Sequence, residues 1–395
     1  MFPSTTEQVA VTLAVTSAPG PSAANGSTFL DSKFRYVLFP VVYGIIFIIG
    51  LFANLYVLFV LRCLRAAKTM GEIRIYMVNL TVADLLFVSA LPFWIGYYSQ
   101  CGNWAYSDFM CRLTGSLFFI NTYCSIFFLG AISINRYWAV TRPLDAATSD
   151  HRLRGIIVSV VIWVLTVSMA VPYLVSPGTN TADNNITRCF EGYQNQSDQE
   201  KQKVAIIHFA IIAVFMAIFF VVVVCNFLIA RALLHQSPSR AEAQSAMVKS
   251  RKAHRTPSSS NKRPVGMKRR ALPMLFAVVG VFVLCFLPHH VVQGFWTLAV
   301  LQITRGWGHV AWRQDTLQAL NDAHQITLVL MSLNCILDPV VYYFATQKFR
   351  GFIAEHIKKL WKREVCSQTL TSQISLDSRN QSQRNPCEDQ QPQIH

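Results

Sequence analysis

The sequence V-F-V-L-C-F-L-P-H-H-V-V-Q, residues 281–293, lies within a long apolar segment that follows a basic cluster. Pro288 has no backbone N–H to donate, so it is expected to kink a helix and to leave free carbonyls at the bend. His289 and Gln293 fall on one helical face, and His290 lies beside them. Polar side chains this deep in an apolar segment are costly to expose to lipid, so they predict a protein interior or a cavity. The stretch therefore predicts a hinged membrane helix with a polar pocket at the hinge.

The composition of the whole chain also indicates a membrane protein. Of 395 residues, 52% are hydrophobic and only 14% are charged, which is too apolar for an ordinary soluble domain. Seven apolar segments follow one another, each long enough to cross about 30 Å of hydrocarbon as a helix. They cover residues 36–62, 73–98, 108–140, 153–174, 203–233, 268–299 and 317–345. We therefore predict an all-α membrane protein, a seven-transmembrane helix bundle.

The distribution of basic residues predicts how the bundle is oriented. The net charge is +15, and the loops after spans one, three and five hold most of the basic residues, whereas residues 97–108 contain no Lys or Arg. The positive-inside rule then places the N-terminus outside and the C-terminus in the cytosol of a multi-pass plasma-membrane protein. Three glycosylation acceptors, Asn25, Asn185 and Asn195, fall on the predicted outer side. Because the basic residues lie between spans, nucleic acid is not an expected partner.

The segments outside the spans complete the predicted organisation. Cys366 is placed for palmitoylation directly after the last helix, and a free tail cysteine is the alternative that stays open. The predicted parts are an extracellular disordered N-terminus over 1–35, the bundle over 36–346 with a disordered inner loop at about 237–261, an amphipathic membrane-surface helix over 347–363 that contacts membrane lipid, and a disordered cytoplasmic tail over 364–395.

Six motifs, each weak alone, occur in order on the expected spans. They are Gly50-x-x-x-Asn54, Asn79-Leu-Thr-Val-Ala-Asp84, Asn135-Arg136-Tyr137, Trp163, Cys285-Phe286-Leu287-Pro288 and Asp338-Pro339-Val340-Val341-Tyr342. With these motifs the chain resembles the rhodopsin-like G-protein-coupled receptors. Longer strings, such as L-F-F-I-N-T-Y-C-S and N-D-A-H-Q-I-T-L, are similar to phospholipid-binding members of that family. This finer resemblance covers about residues 31–362.

The resemblance implies a disulfide between Cys111 and Cys189, coupling to a heterotrimeric G protein, and arrestin recruitment after tail phosphorylation. The residues implied in coupling and switching are Asn135, Arg136, Tyr137, Phe286, Pro288, Asp338, Pro339 and Tyr342. Asn135 stands where the family usually has an acidic neighbour of Arg136, and the base of span six offers no carboxylate. Our hypothesis from the sequence is a loosely latched resting state with appreciable agonist-free signalling.

Polar groups in the middle of four apolar spans form a second predicted site. Intramembrane carboxylates are functional candidates by default. The group consists of Asn54, Asp84, Ser125, Asn334 and Asp338. The resemblance implies a water-filled pocket here, which holds either an allosteric sodium ion or a hydrated hydrogen-bond network, and both alternatives stay open. No other cofactor is expected.

The outer halves of the spans predict the chemistry of the ligand. Phe118 stands where an amine receptor needs an acid, and residues 315–346 lack the lysine that binds retinal in an opsin. The predicted ligand-binding residues are Trp94, Tyr97, Tyr98, Phe118, Phe119, Tyr123, Glu191, His208, His289, His290, Gln293, His324 and Gln325. Aromatic faces suit a quaternary ammonium, imidazoles and amides suit a phosphate or an ester carbonyl, and apolar walls suit alkyl chains. A zwitterionic choline phospholipid has all three parts.

Several alternatives to this interpretation remain. Any single aromatic side chain has helix packing as its alternative role, and a metal site is disfavoured because His289 and His290 splay apart on a helix. A receptor for another lysophospholipid or for a nucleotide is the nearest alternative function. A transporter would show inverted repeats or broken helix pairs, and the sequence has neither. The chain is not predicted to be an enzyme.

Overall fold

The computed structural model describes residues 31–64, 71–142, 151–181, 186–191, 197–235, 265–345, 349–359 and 361. Within these ranges, seven helices are long and apolar enough to cross a membrane, so the predicted all-α bundle is confirmed. The spans, in order, are Arg35–Cys63, Glu72–Ser99, Asp108–Thr141, His151–Val175, Asp198–His235, Val265–Leu301 and Gln314–Ala345. Span five begins before its apolar part, because its first turn is polar and continues the helix beyond the hydrocarbon.

Spans six and seven are interrupted near the middle. In span six a π-helical turn, Phe282–Phe286, lies between the helices Val265–Val281 and Leu287–Leu301. A proline at position 288 cannot donate to the preceding turn, and π-turns inside α-helices accommodate such a break and often occur at functional sites. Span seven is interrupted at Leu333 between Gln314–Ser332 and Asn334–Ala345. Both interruptions lie next to the polar groups described below.

Span three is the most buried of the seven, and the others pack around it. Its Phe128 and the span-six residues Phe282 and Phe286 are fully buried in one apolar core. Large apolar side chains such as Phe52 and Phe220 instead point outward and are more than two-thirds exposed. In a soluble protein such a surface would be costly, but it matches the hydrocarbon of a bilayer.

A short hairpin covers one end of the bundle. Strand β1 (Thr179–Thr181) pairs antiparallel with strand β2 (Thr187–Cys189). A disulfide joins Cys189 to Cys111 at the start of span three, with an S–S distance of 1.99 Å, and this confirms the predicted pair. Asp108 accepts hydrogen bonds from the backbone N–H groups of Gly178 and Thr179 at 2.9 Å each. We call this end of the bundle the outer end and the opposite end the inner end.

A further helix follows span seven at the inner end, over residues 349–359. Phe349 is buried against the bundle, whereas Ile357 is 56% exposed, as expected for a helix that lies partly against protein and partly against lipid. Several predicted features lie outside the described residues. They are the glycosylation acceptors Asn25, Asn185 and Asn195, the palmitoylation candidate Cys366, and most of the predicted disordered segments.

Candidate functional site

A cavity of about 240 Å³ opens between spans two, three, five, six and seven, beneath the hairpin. Every predicted ligand residue except Tyr97 lines it: Trp94, Tyr98, Phe118, Phe119, Tyr123, Glu191, His208, His289, His290, Gln293, His324 and Gln325. Tyr97 is fully buried behind the wall, and its hydroxyl donates to the Glu191 carboxylate at 3.1 Å. Tyr97 therefore supports a lining residue instead of forming the lining itself.

Two histidines of span six have their neutral tautomers assigned by their neighbours. His290 Nδ1 lies 2.8 Å from the carbonyl oxygen of Phe286, which can only accept, so Nδ1 donates and Nε2 accepts from the Tyr123 hydroxyl at 3.0 Å. The Thr327 hydroxyl donates to the backbone of span seven, so His289 Nδ1 donates to its oxygen at 3.4 Å. His290 is thus saturated, whereas His289 keeps a lone pair on Nε2 for a further partner.

Gln293 connects two more histidines across the cavity. Its amide oxygen accepts from His324 Nε2 at 2.8 Å, and its amide nitrogen donates to His208 Nδ1 at 3.4 Å. Thr297 also donates to His208 Nδ1, at 2.9 Å. In the neutral tautomers that follow, His208 keeps an N–H on Nε2 and His324 keeps a lone pair on Nδ1, a buried atom that no described residue hydrogen-bonds. The network fixes the orientation of the two imidazole rings and leaves one hydrogen-bonding nitrogen on each ring for a further partner.

The wall formed by span two is aromatic. Trp94 stacks on Tyr98 with ring centroids 6.2 Å apart, and Tyr98 stacks on Phe39 at 4.3 Å. The buried Trp94 Nε1–H has no acceptor among the described residues, although a buried indole usually finds one. An aromatic surface with a spare N–H donor can hold a cation on its face and an anionic oxygen at its edge.

Among the described residues that line the cavity, Glu191 is the one carboxylate, and its charge is compensated by a buried arginine outside the lining. Arg35, which is 1% exposed, donates to the two Glu191 oxygens at 2.7 and 3.1 Å. This bidentate pair ties the segment after β2 to the start of span one. Phe190 lies over Gly115 of span three, where a Cβ would come within 2.2 Å of its ring. The lid over the cavity is therefore held by an ion pair, a disulfide and a glycine contact.

The predicted intramembrane polar site forms below the cavity. Asn121 donates to Asp84 at 2.8 Å, Ser125 donates to Asp338 at 3.3 Å, and Asn334 donates to Ser125 at 3.0 Å. Four buried oxygens have no hydrogen-bond partner among the described residues: Asn54 Oδ1, Asp84 Oδ2, Asn334 Oδ1 and Asp338 Oδ1. Hard oxygen donors with two carboxylates fit either a sodium ion or ordered water, so both alternatives remain.

The predicted switch residues lie along the same path toward the inner end. Phe286 and Tyr342 are fully buried in the core below the cavity, and Asp338 belongs to the polar site. Pro288 lies in the first turn of the outer half of span six, directly after the π-helical turn, and Pro339 lies inside the inner half of span seven, beyond the interruption at Leu333. Asn135, Arg136 and Tyr137 end up half-buried near the inner end of span three.

Sequence reasoning missed several residues of the site. Asn121 donates a hydrogen bond to Asp84. The Phe215 ring stacks on the His290 ring with centroids 3.7 Å apart, and the Trp296 ring stacks on the His324 ring with centroids 3.8 Å apart. Asn121 stands two residues before Tyr123 in an apolar segment, and its polarity was a usable signal. The two aromatic residues gave none, because an aromatic side chain in a membrane span is ordinary.

Comparison with known proteins identifies the class of protein. Residues 53–342 match the family described as 7 transmembrane receptor (rhodopsin family). The chain belongs to this family, whose members are receptors and not enzymes. The match covers the hinge in span six, the polar site and the Arg136 motif.

Within the family, the chain is similar to platelet-activating factor receptors, and the predicted finer resemblance is confirmed. It is 45% identical to that of Cavia porcellus over 88% of this chain and 93% of the relative. It is 44% identical to that of Homo sapiens over 88% and 94%. Cysteinyl leukotriene receptor 1 of Sus scrofa is 30% identical over 83% of this chain and 87% of the relative.

Proposed function

We propose that this chain is a receptor for platelet-activating factor, an acetylated choline ether phospholipid. The observation that carries the proposal is a cavity whose wall is aromatic on one side and imidazole-rich on the other, and whose single carboxylate, among the described lining residues, is already paired with Arg35. The similarity to platelet-activating factor receptors over most of both chains supports the same ligand.

Each part of the lipid has a matching surface. The quaternary ammonium is expected at the aromatic wall formed by Trp94 and Tyr98, where ring quadrupoles attract a cation. The phosphate and the acetyl carbonyl accept hydrogen bonds. The Trp94 N–H, which no described residue accepts, and the N–H that His208 carries on Nε2 in the tautomer given above can supply them. The alkyl chain fits against apolar lining residues such as Phe118 and Leu328.

The proposed signal runs from the cavity to the inner end. Agonist contact with His289 and His290 biases the interrupted region around Pro288, and the inner end of span six moves outward. Arg136 then engages a heterotrimeric G protein, which signals through phospholipase C to calcium. This is a population shift between two states, so the agonist must bind the active one more tightly. Arrestin binds after phosphorylation of the tail, and the N-terminus lies outside the plasma membrane.

The nearest alternative ligands are another lysophospholipid and a nucleotide. The multiple phosphates of a nucleotide need several Lys or Arg side chains. The cavity lining, as far as the described residues form it, contains none. A lysophospholipid that lacks the acetyl group remains the sharper competitor, because it shares the choline, the phosphate and the alkyl chain.

Calcium mobilisation in cells expressing this chain tests the proposal. Platelet-activating factor and its deacetylated form are titrated on the unmodified receptor, on His289→Ala and on His309→Ala. His309 is a matched control, since it also lies toward the outer end but outside the cavity lining. We expect a response to the acetylated lipid that needs about tenfold more ligand in His289→Ala, the effect of losing about 1.4 kcal/mol of binding. Silence to the acetylated lipid, with surface expression shown, would contradict the proposal.

A further inference from the structure

A buried carboxylate lies at the inner end of the bundle, far from the proposed ligand cavity. Glu72 is the first residue of span two and is 6% exposed. A buried charge is costly unless it is paired and hydrogen-bonded, so its partners show what it holds. The hydrogen-bond donors to its carboxylate are Tyr76, Asn135 and Arg154, and we call these four residues the Glu72 cluster. His151 lies beside the cluster, with Nδ1 3.8 Å from Glu72 Oε2.

Both oxygens of Glu72 are occupied. Oε2 accepts from Asn135 Nδ2 at 2.7 Å and from Arg154 Nε and Nη2 at 2.9 and 2.6 Å. Oε1 accepts from the Tyr76 hydroxyl at 2.6 Å. The Arg154 guanidinium also lies over the Trp138 ring, 4.7 Å from its centroid. One carboxylate therefore ties the inner ends of spans two, three and four together.

The cluster bears on G-protein coupling through Asn135. This residue directly precedes Arg136 and stands where the family usually has an acid. The structure supplies a carboxylate at this place from another helix, because Asn135 donates to Glu72. None of the described donors to Glu72 comes from span six, so outward movement of span six does not by itself break the cluster.

We propose that Glu72 is a positioning residue for signalling: it fixes the inner end of span three so that Arg136 faces the G protein. The proposal rests on the proposed coupling to a G protein. It also changes the expectation for Asn135→Asp. The sequence hypothesis expects the added acid to quieten agonist-free signalling, whereas here it brings two carboxylates into contact and disturbs coupling.

A charge exchange tests the proposal, using the unmodified receptor, Glu72→Gln, Asn135→Asp and the double variant at matched surface expression. Glu72→Gln leaves the cluster without a carboxylate, and Asn135→Asp gives it two. In the double variant the amide at position 72 again faces one carboxylate, now at position 135. We expect the lipid concentration for half-maximal G-protein activation to rise about tenfold in each single variant, as for a lost charge-assisted hydrogen bond. The double variant is expected within about twofold of the unmodified receptor.

Two further measurements separate positioning from damage. Binding of labelled platelet-activating factor without G protein is expected to be unchanged in all four receptors, because the cavity is untouched. Glu355→Gln is the control for losing an inner-side carboxylate, since Glu355 pairs with Lys359 on an exposed helix, and it is expected to signal normally. Single-variant losses that multiply in the double variant, or single variants that signal normally, would overturn the proposal.

The assay also distinguishes failure of the ligand assignment. Capture of purified G protein by each receptor is measured without agonist as well. If the unmodified receptor does not respond to platelet-activating factor, the ligand assignment is wrong. Capture of G protein by the four receptors still tests the role of Glu72 in that case. The expected pattern is reduced capture by both single variants and restored capture by the double variant, and equal capture by all four contradicts the role of Glu72.

Discussion

The cavity and the Glu72 cluster both bury polar groups among apolar helices, but they use them differently. At the cavity, Trp94 Nε1, His324 Nδ1 and Gln325 Oε1 are buried without a hydrogen-bond partner among the described residues. At the Glu72 cluster, both carboxylate oxygens are filled by donors from three spans. The cavity therefore has buried polar atoms with unused hydrogen-bonding capacity, whereas both oxygens of the Glu72 carboxylate already accept hydrogen bonds.

Unused hydrogen-bonding capacity distinguishes a binding region from a positioning region in a membrane bundle. An unpaired buried polar group costs about 1 to 3 kcal/mol, so a fold keeps several of them together only where something else completes them. A saturated cluster has no capacity left for a ligand, and it can only fix geometry. The cavity is accordingly the place for a ligand, and the Glu72 cluster is a fixed point for the signalling end.

The largest expected effect comes from the ion pair beside the cavity, between the buried Arg35 and Glu191. Glu191→Gln leaves the buried Arg35 without its bidentate partner, and breaking such a pair is expected to cost about 3 kcal/mol. The melting temperature of the purified receptor should fall by several degrees. The matched control is Asp31→Asn, because Asp31 also faces Arg35 but at 3.4 Å and with a more exposed side chain. Equal losses in the two variants would show that the bidentate contact has no special weight.

A medium effect is expected at an unsatisfied group. Trp94→Phe keeps an aromatic face and removes only the indole N–H, which no described residue accepts. If the ligand supplies the acceptor, affinity for platelet-activating factor falls about tenfold in competition binding, while the melting temperature without ligand stays the same. Trp307→Phe serves as the control, since Trp307 is exposed at the outer end and outside the cavity lining. Unchanged affinity in Trp94→Phe would assign Trp94 to packing.

The smallest effect is expected at an exposed ion pair. Lys359 donates to Glu355 at 2.9 Å, and this hydrogen bond holds the pKa of the Glu355 carboxyl below its ordinary value. A depressed folded-state pKa means that any stabilisation exists above the ordinary pKa and is lost as the pH falls through the lowered one. Because both side chains are solvated, Glu355→Gln should leave the melting temperature unchanged at pH 7 and at pH 4. A measurable loss at pH 7 alone would show that the surface helix depends on this pair.

The parts of the site that could be predicted from the sequence are those with local signals. Pro288, His289, His290 and Gln293 lie within six positions of one another, and polarity beside a proline in an apolar span indicates both a hinge and a pocket. The disulfide between Cys111 and Cys189 followed from the family resemblance. The seven spans followed from hydropathy, since backbone groups in lipid must be satisfied within helices.

The parts that could not be predicted depend on which helices meet. Glu72 is 63 positions from Asn135 and 82 from Arg154 in the chain, and the hydropathy pattern places it just before span two, where an acid is ordinary. Arg35 is likewise 156 positions from Glu191. The sequence shows these charges, but helix packing decides which of them pair. The hypothesis of a loosely latched resting state therefore did not include the Glu72 carboxylate, which accepts a hydrogen bond from Asn135.

Direct binding of the lipid tests the proposed ligand. Membranes from cells expressing this chain are incubated with labelled platelet-activating factor and competed with the unlabelled lipid, its deacetylated form or a nucleotide. We expect saturable binding of the labelled lipid. The unlabelled lipid should displace it, the deacetylated form should displace it only at much higher concentration, and the nucleotide should not displace it. No saturable binding in membranes that contain the folded receptor, or displacement by the nucleotide, would contradict the proposed ligand.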